Sequence, residues 1–309
     1  MLKILILEPE YFDSYAVKAL ESVGKVTAKR MDRKELMASI GEFDILVVRI
    51  ETRLDAFMLS KAKKLKLIGS ATTSLNHIDL GYAKDHGIKV LNLHGTHTIP
   101  TAEHALSLTL SLARNIPWAY ESIREGKWER HKFIGIGLDG KTIGIVGLGR
   151  IGKRVATYAK SLGMNVIYYD PYVNSRIAQK TSLNSLLKKS DIISIHAALT
   201  DETLMMIGKK EFSNMKENAL VINTARGLII DNDALIKALK SKSIAGAAID
   251  VFPNEPVSHM EKELLDYSKS AANLLLTPHL GASTREALHA AGMDIAKQIF
   301  REVRKVGSG

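Results

Sequence analysis

KTIGIVGLGRIGKRVATYAKSLGMNVIYYD, residues 141–170, passes from an apolar run through three glycines into an amphipathic segment, then into a second apolar run ending in aspartate. Apolar runs of strand length on either side of a helix-spaced segment predict strand, turn, helix and parallel strand. The glycines of GLGRIG stand where such a turn needs them. Gly147 allows the tight turn, Gly149 lets the backbone approach a pyrophosphate, and Gly152 lets helix and strand pack closely. Arg150 and Ile151 open the helix, whose free N–H groups and dipole favour an anion. Asp170 closes the next strand, where a carboxylate accepts from the ribose hydroxyls of NAD and repels the extra phosphate of NADP. Pro171 and Tyr172 follow it rather than an arginine, so NAD is the cofactor expected.

Further along, DIISIHA (191–197), ALVINTA (219–225), IAGAAIDVF (244–252) and NLLLTPH (273–279) bring this series to six strands separated by helix-like segments. Before it, KILILE (3–8), GKVTAK (24–29), DILVVR (44–49), KLIGSAT (66–72) and IKVLNL (88–93) alternate with YAVKALES, RKELMAS and AFMLSKAKK. Such alternation implies parallel sheets with right-handed crossovers. A long apolar helix, TIPTAEHALSLTLSLAR (98–114), lies between the two series, its start marked by Pro100 and Thr101. Another, STREALHAAGMDIAKQIFREVRK (283–305), follows the last strand. The fold expected is α/β with two doubly wound parallel-sheet domains. A Rossmann NAD-binding domain, 98–283, is inserted in a discontinuous flavodoxin-like substrate domain, 1–97 with 284–309, and the crevice falls at the crossings.

Composition narrows the function. The 309 residues contain no cysteine, which removes disulfides, thiolate nucleophiles and cysteine-ligated metals. A hydrophobic fraction of 46% with 25% charge fits a globular enzyme. No run approaches the ~20 apolar residues of a membrane span, and MLKILILEPEY lacks a cleavage site for a signal peptide; a cytoplasmic protein with no membrane partner is expected. The net charge of +10 is spread over scattered lysines without an aromatic-interleaved tract. A small anionic substrate and a dinucleotide are therefore expected, and nucleic acid is not.

Ligands of open α/β sheets bind beyond the carboxyl ends of strands. There NTARG supplies Arg226, DVFPNEP supplies Asp250 and then Glu255, and LLLTPHLGAS (274–283) supplies His279. An arginine, a carboxylate and a histidine converge on one edge.

With these motifs in order, GLGRIG, HAALTDET (196–203), NTARG (223–227), AAIDVFPNEP (247–256) and TPHLGAS (277–283), the chain resembles the D-isomer-specific 2-hydroxyacid dehydrogenases nearly end to end. The resemblance implies that Arg226, Glu255 and His279 are catalytic and that Asp250 orients the nicotinamide carboxamide. It implies cofactor contacts from Arg150, Ile151, His196, Ala197, Thr224, Ala225 and the segment His279–Ala282, which includes Gly281 and Ala282. The chemistry suits those residue types. Reducing a 2-oxo acid needs a hydride at carbon and a proton at oxygen; imidazolium His279 gives the proton, and neutral His279 removes it in reverse. Glu255 orients the ring, and the planar fork of Arg226 clamps a carboxylate.

The resemblance also places substrate contacts in the first domain, at Arg49 and in SATTSLNHID (70–79), through Thr73 and Ser74. Thr72 and Ser74 stand where glycines are common, and Ser70 where an arginine is common. GKWERHKFIG (126–135) is similar to the phosphoglycerate dehydrogenase branch, so Arg130, His131 and Lys132 can meet a phosphate. D-3-phosphoglycerate oxidation is the leading expectation. Glyoxylate, hydroxypyruvate or lactate chemistry is the alternative within the family, and an NAD-sensing corepressor the alternative outside enzymes. Glu255 argues against formate dehydrogenases, which pair the histidine with glutamine. The region 101–114 and the WER loop imply a homodimer. His94, His97 and His104 are close in sequence but lack a completing array, so packing is expected of them and no metal.

Overall fold

The computed structural model describes residues 1–93, 95–255 and 261–307. His94 and Pro256, the last residue of the AAIDVFPNEP motif, lie outside the described residues. The backbone divides into two compact units, Met1–Thr96 with Ser283–Gly309, and His97–Ala282.

The first unit holds β1 (Leu2–Ile6), β2 (Gly24–Ala28), β3 (Ile45–Val48), β4 (Leu67–Ser70) and β5 (Lys89–Leu91) in one parallel sheet, ordered β2-β1-β3-β4-β5. β3 and β4 are buried throughout, as strands covered on both faces must be. Aspartates start the helices between them. Asp13, Asp32, Asp55 and Asp79 each accept a backbone N–H of the first turn, and Asp32 and Glu35 cap one another reciprocally. Two apolar clusters cover this sheet, one of them completed by Ala291, Ile295, Ala296 and Ile299 of the helix Arg285–Gly307.

The second unit has seven parallel strands rather than the six expected: β6 (Thr142–Val146), β7 (Asn165–Tyr169), β8 (Gln179–Lys180), β9 (Ile192–Ile195), β10 (Leu220–Asn223), β11 (Gly246–Ile249) and β12 (Leu274–Leu276). Their order is β12-β11-β10-β9-β6-β7-β8. The extra strand, β8, is two exposed polar residues at the sheet's end, so no apolar run announces it. Strand order reverses between β6 and β9, the place where ligands enter such sheets. The helix between the two strand series spans Thr98–Ala113 and so begins two residues before Pro100. It packs with β6 and with the helix Arg150–Ser161 in one apolar cluster, and a second cluster covers the other face. No helix of the described residues is long and apolar enough to cross a membrane.

Candidate active site

Because every strand of the second unit is parallel, the residue after each strand arrives at one edge. After β6 the chain turns at Gly147, φ +90°, a conformation that a side chain would strain. A Cβ at Gly147 would lie 2.6 Å from the backbone nitrogen of Ala197, and one at Gly152 would lie 2.2 Å from the carbonyl of Gly147. Gly149 differs: a Cβ there would meet nothing within 4 Å. The loop is thus closed on the protein side at Gly147 and Gly152, and open at Gly149, where the helix of Arg150 and Ile151 begins.

Asp170, after β7, braces this loop. Its Oδ2 accepts the N–H of Leu148 at 2.8 Å, and its Oδ1 accepts those of Tyr172 and Val173 at 2.9 and 3.0 Å. With a single donor on Oδ2, the carboxylate keeps capacity for a hydroxyl.

His196 and Ala197 follow β9. Nε2 of His196 lies 2.8 Å from Ser194 Oγ, its Nδ1 is buried without a partner among the described residues, and burial pushes its pKa down to about 4. After β10, the Oγ1 of Thr224 is likewise buried without a partner. Buried polar atoms in folded chains are nearly always satisfied. Unmet capacity at Thr224 and His196, beside an open glycine at a helix N-terminus and an aspartate at the next strand end, fits a dinucleotide.

Asn223, fully buried at the end of β10, was missed by sequence reasoning. Its side chain accepts the N–H of Ala225 and donates to the carbonyl of Arg226, both at 3.0 Å, which fixes the NTARG turn. An asparagine directly before a turn was the available signal. Arg226 lies in that turn, its Nη1 donating to the carbonyl of Ala225 at 2.6 Å. Burial lowers its pKa and the nearby charge of Glu255 opposes the shift; a guanidinium stays charged regardless. The backbone of Phe252 would lie 2.1 Å from a Cβ at Gly227, so the Arg226 turn packs directly on the segment leading to Glu255.

Glu255 accepts the N–H of Phe252 through Oε1 at 2.9 Å and meets Nδ1 of His279 through Oε2 at 2.6 Å. Both side chains remain partly accessible, 25% and 31%. A carboxylate on Nδ1 fixes the tautomer and leaves Nε2 for chemistry. His279 adopts φ 53°, which costs a non-glycine residue roughly 1–2 kcal/mol.

Asp250 holds that turn. Its carbonyl accepts the N–H of His279 at 2.9 Å. Its carboxylate accepts Leu280 N–H at 2.8 Å, Gly281 N–H at 2.9 Å, Thr277 Oγ1–H at 2.6 Å and His104 Nε2–H at 3.0 Å. Four donors on one buried carboxylate account for its lowered pKa against the opposing effect of burial. Thr277 was left out by sequence reasoning, and His104, of which only packing was expected, is here a hydrogen-bond partner of Asp250. Gly281 is buried, and Ala282 ends the segment half-buried.

In the first unit, Arg49 follows β3 and is 7% exposed. Its guanidinium lies 4.9 Å over the Tyr11 ring, and its Nη1 has no partner among the described residues. The buried carboxylate of Glu8 accepts the N–H groups of Arg49 and Thr52. Burial raises the Glu8 pKa above the ordinary carboxylate value. At the end of the neighbouring β4, Ser70 Oγ lies 2.7 Å from Thr72 Oγ1 and 3.2 Å from His77 Nε2, and Thr72 donates to the carbonyl of Ser74 at 2.7 Å. Thr73 is exposed, its carbonyl accepting from Asn92 at 3.0 Å. Burial pushes His77 down to about 4, so the stretch from Ser70 to His77 carries no charge at pH 7. Arg130, His131 and Lys132 form an exposed turn in the second unit, with Lys132 paired to Glu129 at 2.8 Å.

Residues 106–281 match the model of the D-isomer specific 2-hydroxyacid dehydrogenase NAD binding domain. The chain belongs to this family. Among the D-2-hydroxyacid dehydrogenases and their relatives, D-3-phosphoglycerate dehydrogenase of Methanocaldococcus jannaschii is 42% identical over 98% of this chain and 58% of its own length. Hydroxypyruvate reductase of Thermotoga maritima is 40% identical over 90% of this chain and 91% of its own length. D-lactate dehydrogenase of Aquifex aeolicus, solved with NAD and lactic acid, superposes with a TM-score of 0.86 at 27% identity over 98% of this chain and 96% of that one. The chain spans little more than half the length of the phosphoglycerate dehydrogenases that it matches.

Proposed function

We propose that this chain transfers hydride between NAD(H) and a small D-2-hydroxy or 2-oxo acid, with D-3-phosphoglycerate and 3-phosphohydroxypyruvate as the leading pair. The observation that carries it is the 2.6 Å His279–Glu255 pair on the carboxyl edge of the sheet, with Arg226 in the adjoining turn. Nε2 of His279 delivers a proton to the carbonyl oxygen in reduction and removes it from the hydroxyl in oxidation. Glu255 keeps Nδ1 protonated and stabilises the cationic ring. Arg226 holds the substrate carboxylate and draws charge from the carbonyl, an effect enlarged by its burial. NADH, when bound, supplies the hydride. Gly147, Gly149, Gly152, Arg150 and Ile151 would hold its pyrophosphate, Asp170 its ribose, and His196, Ala197, Thr224, Ala225, Gly281 and Ala282 the nicotinamide side.

On the substrate side the assignment gives Arg49 a charged group, and Thr73 and Ser74 the carboxylate. A specific observation also supports hydroxypyruvate: the loop from Ser70 to His77 is neutral, leaving Arg49 as the buried cation of that edge. An NADH-oxidation panel of 3-phosphohydroxypyruvate, hydroxypyruvate, glyoxylate and pyruvate, run beside NAD reduction with D-3-phosphoglycerate and D-lactate, separates the two. Turnover of at least one C3 oxo acid is expected. No turnover of any, with NADH nonetheless bound, overturns the assignment and favours a binding protein. We further assign the chain to the cytosol and to a homodimer.

A further inference from the structure

His279 stands in the left-handed region between Pro278 and the Leu280–Gly281 pair, where a side chain needs restraint from outside its own segment. Asp250 supplies it, through its carbonyl to the N–H of His279 and its carboxylate to Thr277, Leu280 and Gly281. Those three carboxylate donors belong to the segment being held. The fourth does not. His104, on the helix Thr98–Ala113, places Nε2 3.0 Å from Oδ1 of Asp250 and 3.4 Å from Oγ1 of Thr277. Its side chain is 18% exposed and that of Asp250 only 1%. The same helix reaches the turn at a second point, because a Cβ on Gly281 would lie 3.3 Å from both Oδ2 of Asp250 and Cγ2 of Thr101. Among the described residues, His104 is the one donor to the Asp250 carboxylate that lies outside the turn this carboxylate orients.

We propose that His104 is a positioning residue for His279, acting through Asp250. Its Nε2–H sets the plane of the buried carboxylate from a rigid helix, and that carboxylate holds residues 277–281 so that the His279 ring stays on Glu255. The inference rests on His279 being the acid/base, as assigned above, for its effect on turnover. Its effect on the ring itself is independent of substrate.

The test uses the full chain with His104→Leu, His104→Gln and His279→Ala. Proton–nitrogen imidazole spectra, assigned by the signals lost in His279→Ala, report the His279 ring without any substrate. His104→Leu should shift or broaden the His279 ring signals, and lower kcat about 10- to 100-fold while the KM for NADH changes by less than about threefold. His104→Gln, which keeps a donor, should restore the spectrum and most of the turnover. Unaltered His279 signals in His104→Leu would overturn the proposal, as would equal impairment by Leu and Gln. If His279→Ala retains turnover, the acid/base assignment falls, while the ring signals still decide whether His104 holds the turn.

Discussion

His196, directly after β9, and His77, in the loop that follows β4, are both pushed down to about 4 by burial. The ordinary histidine value is near 6.5, so between pH 6.5 and 4 the unfolded chain binds protons that the folded chain does not. The stability that these rings contribute is whole above about pH 6.5 and is lost as the pH falls toward 4, at up to about 1.4 kcal/mol per pH unit for each. Urea unfolding at pH 7 and pH 5 should show this loss, and His196→Asn should make it shallower. Equal losses in the two proteins would contradict the assignment. At this scale the sequence offered Arg226, Glu255 and His279 as candidates, because motif and strand end coincide, and the structure brings His279 onto Glu255. The sequence did not disclose Asn223, which fixes its own turn, or Thr277, and it gave His104 only a packing role. Both Thr277 and His104 hydrogen-bond Asp250 of another element. His104 lies 146 positions from Asp250, and no local pattern connects them.

Strands were legible wherever they were apolar. The run MNVIYYD marks β7 because a buried parallel strand must be apolar on both faces, whereas β8, Gln179–Lys180, pairs along one edge of β7 with its side chains in water. The segment RKELMAS was legible from its helical spacing, and the structure adds the aspartate that caps it, Asp32 before Arg33–Ser39. The helix Thr98–Ala113 carries no such cap: His97 precedes it without a side-chain cap hydrogen bond, so Pro100 drew attention to a point inside the first turn. The turn at 277–281 is the element whose form had no sequence signal. Pro278 and Gly281 bracket it, but the positive φ falls on His279, and Asp250 in another strand connection enforces it.

At the scale of the molecule, the alternation of apolar runs with helix-spaced segments was enough to anticipate two parallel sheets. The surface of the second unit carries the next expectation. Ile116, Tyr120 and Ile123 lie on one face of the helix Ile116–Arg124 and are 51%, 60% and 56% exposed, with Trp128 at 78% and Ile134 at 81% nearby in the chain. Apolar side chains grouped in this way call for a cover. Light scattering should give twice the 34.0 kDa mass of the chain, and Tyr120→Glu with Trp128→Glu should halve it; a monomeric parent protein would contradict the pairing. The chemistry itself is decided by one comparison, the NADH-linked kcat of His279→Ala against the parent on the best oxo acid of the panel. A fall of about 10²- to 10⁴-fold with NADH affinity retained is expected of a lost acid/base group. Turnover near that of the parent would contradict the role given to His279.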